Sequence, residues 1–214
     1  MTAVHPPSGR RTGRKRGSYA KTEQKRRLIL EAAFEVFSQD GYRSGSLRDI
    51  ADRVQMSEAG LLHHFPNKSA LLAAVLEHRD QRTADFFEPE GPGDARTGLI
   101  GILRLTAYNS SVPGIVELYC TLSAEATAPA HPAHDYFVRR YEWIRGTVTS
   151  IFEALRDQGD LVAGVEPASA ARSTIGLFDG LQVQWLLDRE AVDMVGELRA
   201  HLSRLVNFEV PAVE

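Results

Sequence analysis

The chain has 214 residues, 43% of them hydrophobic and 25% charged, with a formal net charge of −3. That make-up belongs to a soluble globular protein rather than a disordered or fibrous one, and the length allows one substantial core or a small domain beside a larger one. No run approaches the ~20 uninterrupted apolar residues that span a bilayer, and the Arg10-Arg11 pair is followed by more basic residues instead of a hydrophobic signal region, so the expected compartment is the cytoplasm.

The net charge hides an asymmetry. Residues 1 to 72 carry 13 Lys plus Arg against 7 Asp plus Glu, and residues 73 to 214 carry 12 against 21. A basic segment beside an acidic body suits a chain whose first part meets a polyanion, because phosphate contacts supply sequence-independent affinity. A solvated charged tail is the plainer alternative. The single cysteine, Cys120, excludes an intrachain disulfide, and with no Cys and His cluster around it a small buried apolar side chain is expected.

Residues 1–20 hold two prolines, three glycines and the basic run Arg14-Lys15-Arg16, with almost nothing apolar to bury, and read as an arm that is disordered when free. Helical periodicity then begins: Ile29, Ala32, Ala33, Val36 and Phe37 fall at i, i+3, i+4, i+7 and i+8, predicting a helix from about Thr22 to Gln39 that Asp40-Gly41 ends. Ser46, with Asp49 three residues on, starts a short helix bearing Leu47, Ile50, Ala51 and Val54. Ser57 caps a third over Glu58 to His64, which turns Leu61 and Phe65 inward and presents Glu58, Ala59, Leu62 and His63 outward. Pro66 stops it, and Asn67 caps a fourth from Lys68.

The stretch 88–94, with two prolines and two glycines, predicts a loop. Helices follow over 96–110, 114–128, 133–158, 167–188 and 191–207, with Pro167 suited to a first turn. Strand signals are scarce, and neither an internal repeat nor a sustained heptad pattern is present. The fold class is therefore all-α.

A helix that reads DNA needs small or polar residues at its exposed end, a second helix across it and donors for the flanking phosphates. Residues 46–68 meet those demands. Ser46 and Arg48 stand at one helix N-terminus, Ser57 at the next and Lys68 at a third, where free N–H groups also favour a phosphate.

The run from Ser46 through Ile50, Ala51 and Val54, followed by Met56-Ser57-Glu-Ala-Gly60-Leu61-Leu62-His63-His64-Phe65-Pro66-Asn67-Lys68, resembles the signature of TetR-family transcriptional regulators, and Ile29 to Ala33 with Phe37 to Tyr42 resemble that family's first helix and turn. The resemblance covers about 55 consecutive residues. It implies an N-terminal three-helix helix-turn-helix domain over 21–68, with the motif at about 46–65, a connecting helix over 69–87, and a larger helical ligand-binding and dimerisation domain over 88–214. It implies a homodimer on double-stranded operator DNA, released by a small-molecule effector; no cofactor is expected, and without a long apolar run no membrane contact is expected either. By the same likeness Ser57, Glu58, Ala59 and Gly60 face the major groove, and Ser46, His63, His64 and Lys68 lie on or near phosphates.

Leu62 departs from the family, which commonly has a tyrosine there that donates to the backbone. Leucine donates nothing, so either His63 and the arm take over that contact or Leu62 touches a thymine methyl. Glu58 either accepts from cytosine N4 or simply complements the helix dipole. Arg14, Lys15 and Arg16 either enter an adjacent minor groove or attract DNA non-specifically.

In the C-terminal part the aromatic and aliphatic residues suffice to enclose a cavity, and Tyr108, Tyr119, Tyr141 and Phe178 are the candidate ligand contacts, with plain core packing as the alternative for each. The segment 176–186 followed by Val192, Val195, Leu198, Leu202 and Leu205 resembles the paired C-terminal helices of a TetR subgroup. Leu181, Trp185, Leu198, Leu202 and Leu205 are accordingly assigned to a two-fold interface, against burial inside one subunit.

Enzyme hardware is missing from the sequence: no G-x-S-x-G elbow, phosphate loop, H-E-x-x-H or Rossmann fingerprint. His131 and His134 lack further ligands, and His63 and His64, adjacent in a helix, point about 100° apart, so no metal site is expected. The reading is a ligand-responsive repressor. An activator on the same scaffold and an architectural DNA-binding protein without a ligand are the alternatives.

Overall fold

The computed structural model describes the backbone of residues 13–83 and 95–213 and the side chains of 22–80 and 95–213. Helix α1 spans Gly13–Ser44, so residues 13–20, read as arm, are helical. Arg14, Lys15 and Arg16 are good helix formers, and extending a helix already nucleated downstream adds a hydrogen bond per residue without a new nucleus. Residues 1–12 and the expected loop over 88–94 lie outside the described residues. The backbone leaves the helical path at Gly41 (φ 71°, ψ 177°), the residue the sequence marks as the stop.

Helix α2, Leu47–Arg53, begins where the Ser46 hydroxyl accepts from the Asp49 N–H at 3.0 Å. It ends in a Schellman arrangement: Met56 N–H reaches Ala51 C=O at 2.9 Å, Gln55 N–H reaches Asp52 C=O at 3.1 Å, and Gln55 carries the left-handed conformation (φ 53°) that glycine usually supplies. Helix α3, Glu58–His64, is capped by Ser57 through the Gly60 N–H at 3.1 Å, and α4, Lys68–Thr83, by Asn67 through the Ala70 N–H at 2.8 Å. Five more helices are described: α5 Ala95–Ser111, α6 Pro113–Glu125, α7 His134–Asp157, α8 Pro167–Leu187 and α9 Met194–Ser203. Leu161 and Val206 form an isolated antiparallel bridge, and among the described residues no strand is longer.

Two apolar clusters hold the chain. The first joins α1, α2, α3 and α4 to α6 and the start of α7, with Ile29, Val36, Phe37, Ile50, Leu61 and Leu118 fully enclosed. Each such side chain contributes about 1.5–3 kcal/mol by leaving water. The second joins α5, α7, α8, α9 and the C-terminal tail around Leu99, Phe152, Leu155 and Leu198. Gly98 lets α5 and α7 cross closely, since a Cβ there would stand 3.1 Å from Ile151. Asn207 fastens the tail by donating its side-chain amide to Leu161 C=O at 2.9 Å.

The C-terminal helices turn the stripe assigned to a two-fold interface largely inward. Leu181, Trp185, Leu198 and Leu202 are buried inside the subunit, in the second cluster, and Leu205 packs half-buried against it. Their stripe is apolar because α8 and α9 close over α5 and α7, which leaves Leu181, Trp185, Leu198 and Leu202 little surface to offer a partner. The outward line of α8 is instead Gly176, Gly180, Val183 and Leu187: no atom lies within 4 Å of a Cβ built on either glycine, and Val183 and Leu187 are 50% and 82% exposed.

Candidate nucleic-acid interface and enclosed cavity

Helix α3 is held from behind. Leu61 and Phe65 are buried, the guanidinium of Arg26 lies 4.4 Å from the centre of the Phe65 ring, and Lys25 donates to Val54 C=O at 2.9 Å. Arg53 fixes α2 to α1 through Glu35 at 2.9 Å and Gln39 at 3.3 Å, so its charge is engaged within the protein. With the back face fixed, Ser57, Glu58, Ala59, Leu62 and His63 stand exposed, Gly60 and His64 are half-buried, and Leu62 is 37% exposed. Gly60 is also tight: a Cβ there would meet Met56 and the capping Ser57 hydroxyl at 3.3 Å.

Flanking this face, Ser46 is half-buried at its cap, while Arg48 and Arg43 are exposed. Lys68, expected on or near a phosphate, makes two contacts within the protein. Its ammonium donates to Arg43 C=O at 3.2 Å and lies 4.7 Å from the centre of the Tyr42 ring, and burial lowers its pKa despite the opposing pull of Glu125. Tyr42 also meets Ser69, hydroxyl to hydroxyl, at 2.9 Å, so Lys68 and Tyr42 together join the start of α4 to the end of α1. The side chains of Arg14, Lys15 and Arg16 lie outside the described residues. Among the described residues no group of three His, Cys, Asp or Glu is placed to hold a metal ion, and no helix is long and apolar enough to cross a membrane.

A cavity of about 380 Å³ opens among α5, α6, α7 and α8. Three of the four aromatic candidates, Tyr119, Tyr141 and Phe178, line it. Tyr108 does not: α5 turns Ile102, Leu105 and Asn109 to the cavity, and Tyr108, about 100° round from Asn109, faces a surface hollow beside Arg104 and Pro211.

At one end two guanidinium groups lie over the Tyr119 ring, Arg79 at 4.1 Å and Arg140 at 4.6 Å from its centre. Behind it Asp80 accepts from the Tyr119 hydroxyl at 3.0 Å, from the Tyr136 hydroxyl at 2.5 Å and from Arg140. Burial raises the pKa of both phenols, so they remain neutral donors. At the other end Asp179 accepts from the Tyr141 hydroxyl at 2.8 Å, and burial raises the pKa of that carboxyl. Cys120 points its thiol to Gln182 Oε1 at 3.7 Å, and burial, then the Asp179 charge, push the thiol up to about 11.

Sequence reasoning missed these polar groups. Asp80 and Arg140 are sixty residues apart with no local signal joining them. Asp179 did leave a trace, as the single charged residue between Ser173 and Leu187. An ionisable group inside an apolar helix marks a functional candidate.

The family model for bacterial regulatory proteins, tetR family, matches residues 29–75, and that for the C-terminal part of BetI-type transcriptional repressors matches residues 120–208. The HTH-type transcriptional regulator AcrR of Shigella flexneri is 24% identical over 196 residues, covering 87% of this chain and 89% of its own. Among solved structures, the SmeT–triclosan complex, SmeT being the repressor of a Stenotrophomonas maltophilia efflux pump, aligns with a TM-score of 0.74 at 20% identity, over 88% of this chain and 95% of its own. A transcriptional regulator from Saccharomonospora viridis in complex with choline aligns with a TM-score of 0.72 at 23% identity, over 87% of this chain and all of its own.

Proposed function

Since this chain belongs to the TetR family of bacterial regulatory proteins, we propose that it is a cytoplasmic repressor that holds a palindromic operator as a homodimer and releases it when a small molecule fills the cavity. It is a DNA-binding regulator of transcription and not an enzyme. The observation that carries the reading is the double role of α6. One face of that helix walls the cavity through Tyr119 and Ser123, while Thr121 and Glu125 rest against Gly41, near the end of α1 and just before the helix-turn-helix. The triclosan and choline complexes of structural neighbours support a small molecule as the effector in this fold.

In this proposal Ser57, Glu58, Ala59, Gly60 and Leu62 enter the major groove. Ser46, Arg48, His63 and His64 reach phosphates, and Arg14, Lys15 and Arg16 add charge or enter the minor groove. Lys68 acts as a strut between α1 and α4, a role its two contacts support better than a phosphate contact. The homodimer forms along Gly176, Gly180, Val183 and Leu187. These residues recur four, three and four apart, so they share one face of α8, and the two glycines allow a second helix to approach.

The test is a titration of the purified protein against the DNA upstream of its own coding region, by fluorescence anisotropy with a scrambled competitor. Two protomers per palindrome, bound ~10³-fold or more tighter than the competitor, support the reading. Equal, weak and salt-sensitive binding to both overturns a specific operator there.

A further inference from the structure

Asp179 is the sole carboxylate among the residues lining the cavity. An ionised carboxylate has about four acceptor positions, and Tyr141 fills one of them. Gln182, on the next turn of α8, accepts from Cys120. No described cation stands within ion-pair distance of Asp179. Arg140, whose field reaches Asp179, is committed to Asp80 and stacked on Tyr119, and Arg79 donates to Asn109 at 3.3 Å. The two guanidinium groups share the Asp80 carboxylate, whereas the Asp179 carboxylate has one phenol.

A carboxylate removed from water without a counter-charge is costly, and a cation brought to it recovers more than a neutral donor does. Phe178 and Tyr141 line the same space, and ring faces attract a positive centre. The remaining wall is mainly apolar, and a volume of about 380 Å³ lies at the small end of the ~300–1,000 Å³ usual for ligand sites.

We propose that the cavity takes a compact organic cation, its positive centre held by the Asp179 carboxylate and its apolar body by the walls of α5, α6 and α7. This rests on the reading of the cavity as the effector site. An anion seated against Asp179 would meet a like charge there.

The experiment compares phenyltrimethylammonium with tert-butylbenzene, its uncharged isostere, by calorimetry on the full-length protein and on Asp179→Asn. Asparagine keeps the size of the side chain and an oxygen for the Tyr141 hydroxyl. The expected result is at least tenfold tighter binding of the cation to the parent protein. In Asp179→Asn that preference should disappear, while tert-butylbenzene binds within about threefold of its parent affinity, which also reports that the cavity is intact. Equal binding of the two probes to the parent protein, no binding of the cation at millimolar concentration, or a preference that survives in Asp179→Asn overturns the proposal. Operator titration of the same samples separates the two levels: specific DNA binding without cation preference removes the ligand class and leaves the regulator, whereas cation preference without specific DNA binding does the reverse.

Discussion

Replacing Leu187 by glutamate separates a dimer face on α8 from one on the buried stripe. Leu187 is 82% exposed in the single subunit, so the substitution should change the fold stability of one protomer by no more than about 0.5 kcal/mol. In an isologous interface each change occurs twice. Fully burying a leucine contributes about 1.5–3 kcal/mol, so losing most of that in both copies costs the dimer about 2.5–5 kcal/mol, before the desolvation of two carboxylates is added. At about 1.4 kcal/mol per factor of ten, the dissociation constant should rise by roughly 10²- to 10⁴-fold. Sedimentation equilibrium over a wide concentration range measures it, with circular dichroism to confirm unchanged helix content. Trp185→Arg is the contrast: it places a cation in the second core and should unfold the protomer rather than release a folded monomer. A Leu187→Glu protein whose dimer constant stays within threefold of the parent value would refute the assignment of α8's outer line.

Arg48→Ala should lower the slope of log affinity against log salt by about one unit, whereas Lys68→Ala should lower thermal stability and leave that slope unchanged, both read from operator titrations at several salt concentrations. Glu58→Gln should change which base is preferred beneath the α3 N-terminus in a selection from randomised half-sites; an unchanged preference with altered stability would assign Glu58 to the helix dipole instead. The Cys120 thiol, held at about 11 in place of 9.0, should alkylate at pH 8 on the order of 100-fold more slowly than an ordinary thiol, with the rate rising about tenfold per pH unit and levelling off only near pH 11. Modification by iodoacetamide at the rate of a free thiol would contradict that burial.

Local signals carried much of the fold. Gly41, the caps Ser46, Ser57 and Asn67, and the first-turn Pro167 each act within a few residues of themselves, so one sequence is enough to place them. The outward set Glu58, Ala59, Leu62 and His63 follows from helical geometry once Leu61 and Phe65 are assigned inward. What a stripe packs against is a different matter. Trp185, Leu198 and Leu202 form an apolar face that suits a partner subunit as well as α5 and α7, and only the tertiary arrangement decides between them. The cavity's polar groups share that difficulty, since Asp80, Tyr119 and Arg140 come from three helices. Tyr108 shows how narrow the margin is: Asn109, one residue on and about 100° round the helix, lines the cavity.

The sharing of α6 between the two halves bears on how freely the DNA-reading part can be transplanted. Ile115, Leu118, Leu122 and Ala126 belong to the same apolar cluster as the underside of α1, so a fragment cut after α4 would present that underside to water. A chimera meant to give this operator preference a new sensor would therefore need to carry α6, or a helix redesigned to match its inner face, across the junction. Exchange of the recognition helix alone, within Ser57–Phe65, leaves the shared cluster nearly intact and is the cleaner graft, provided Leu61 and Phe65 are kept.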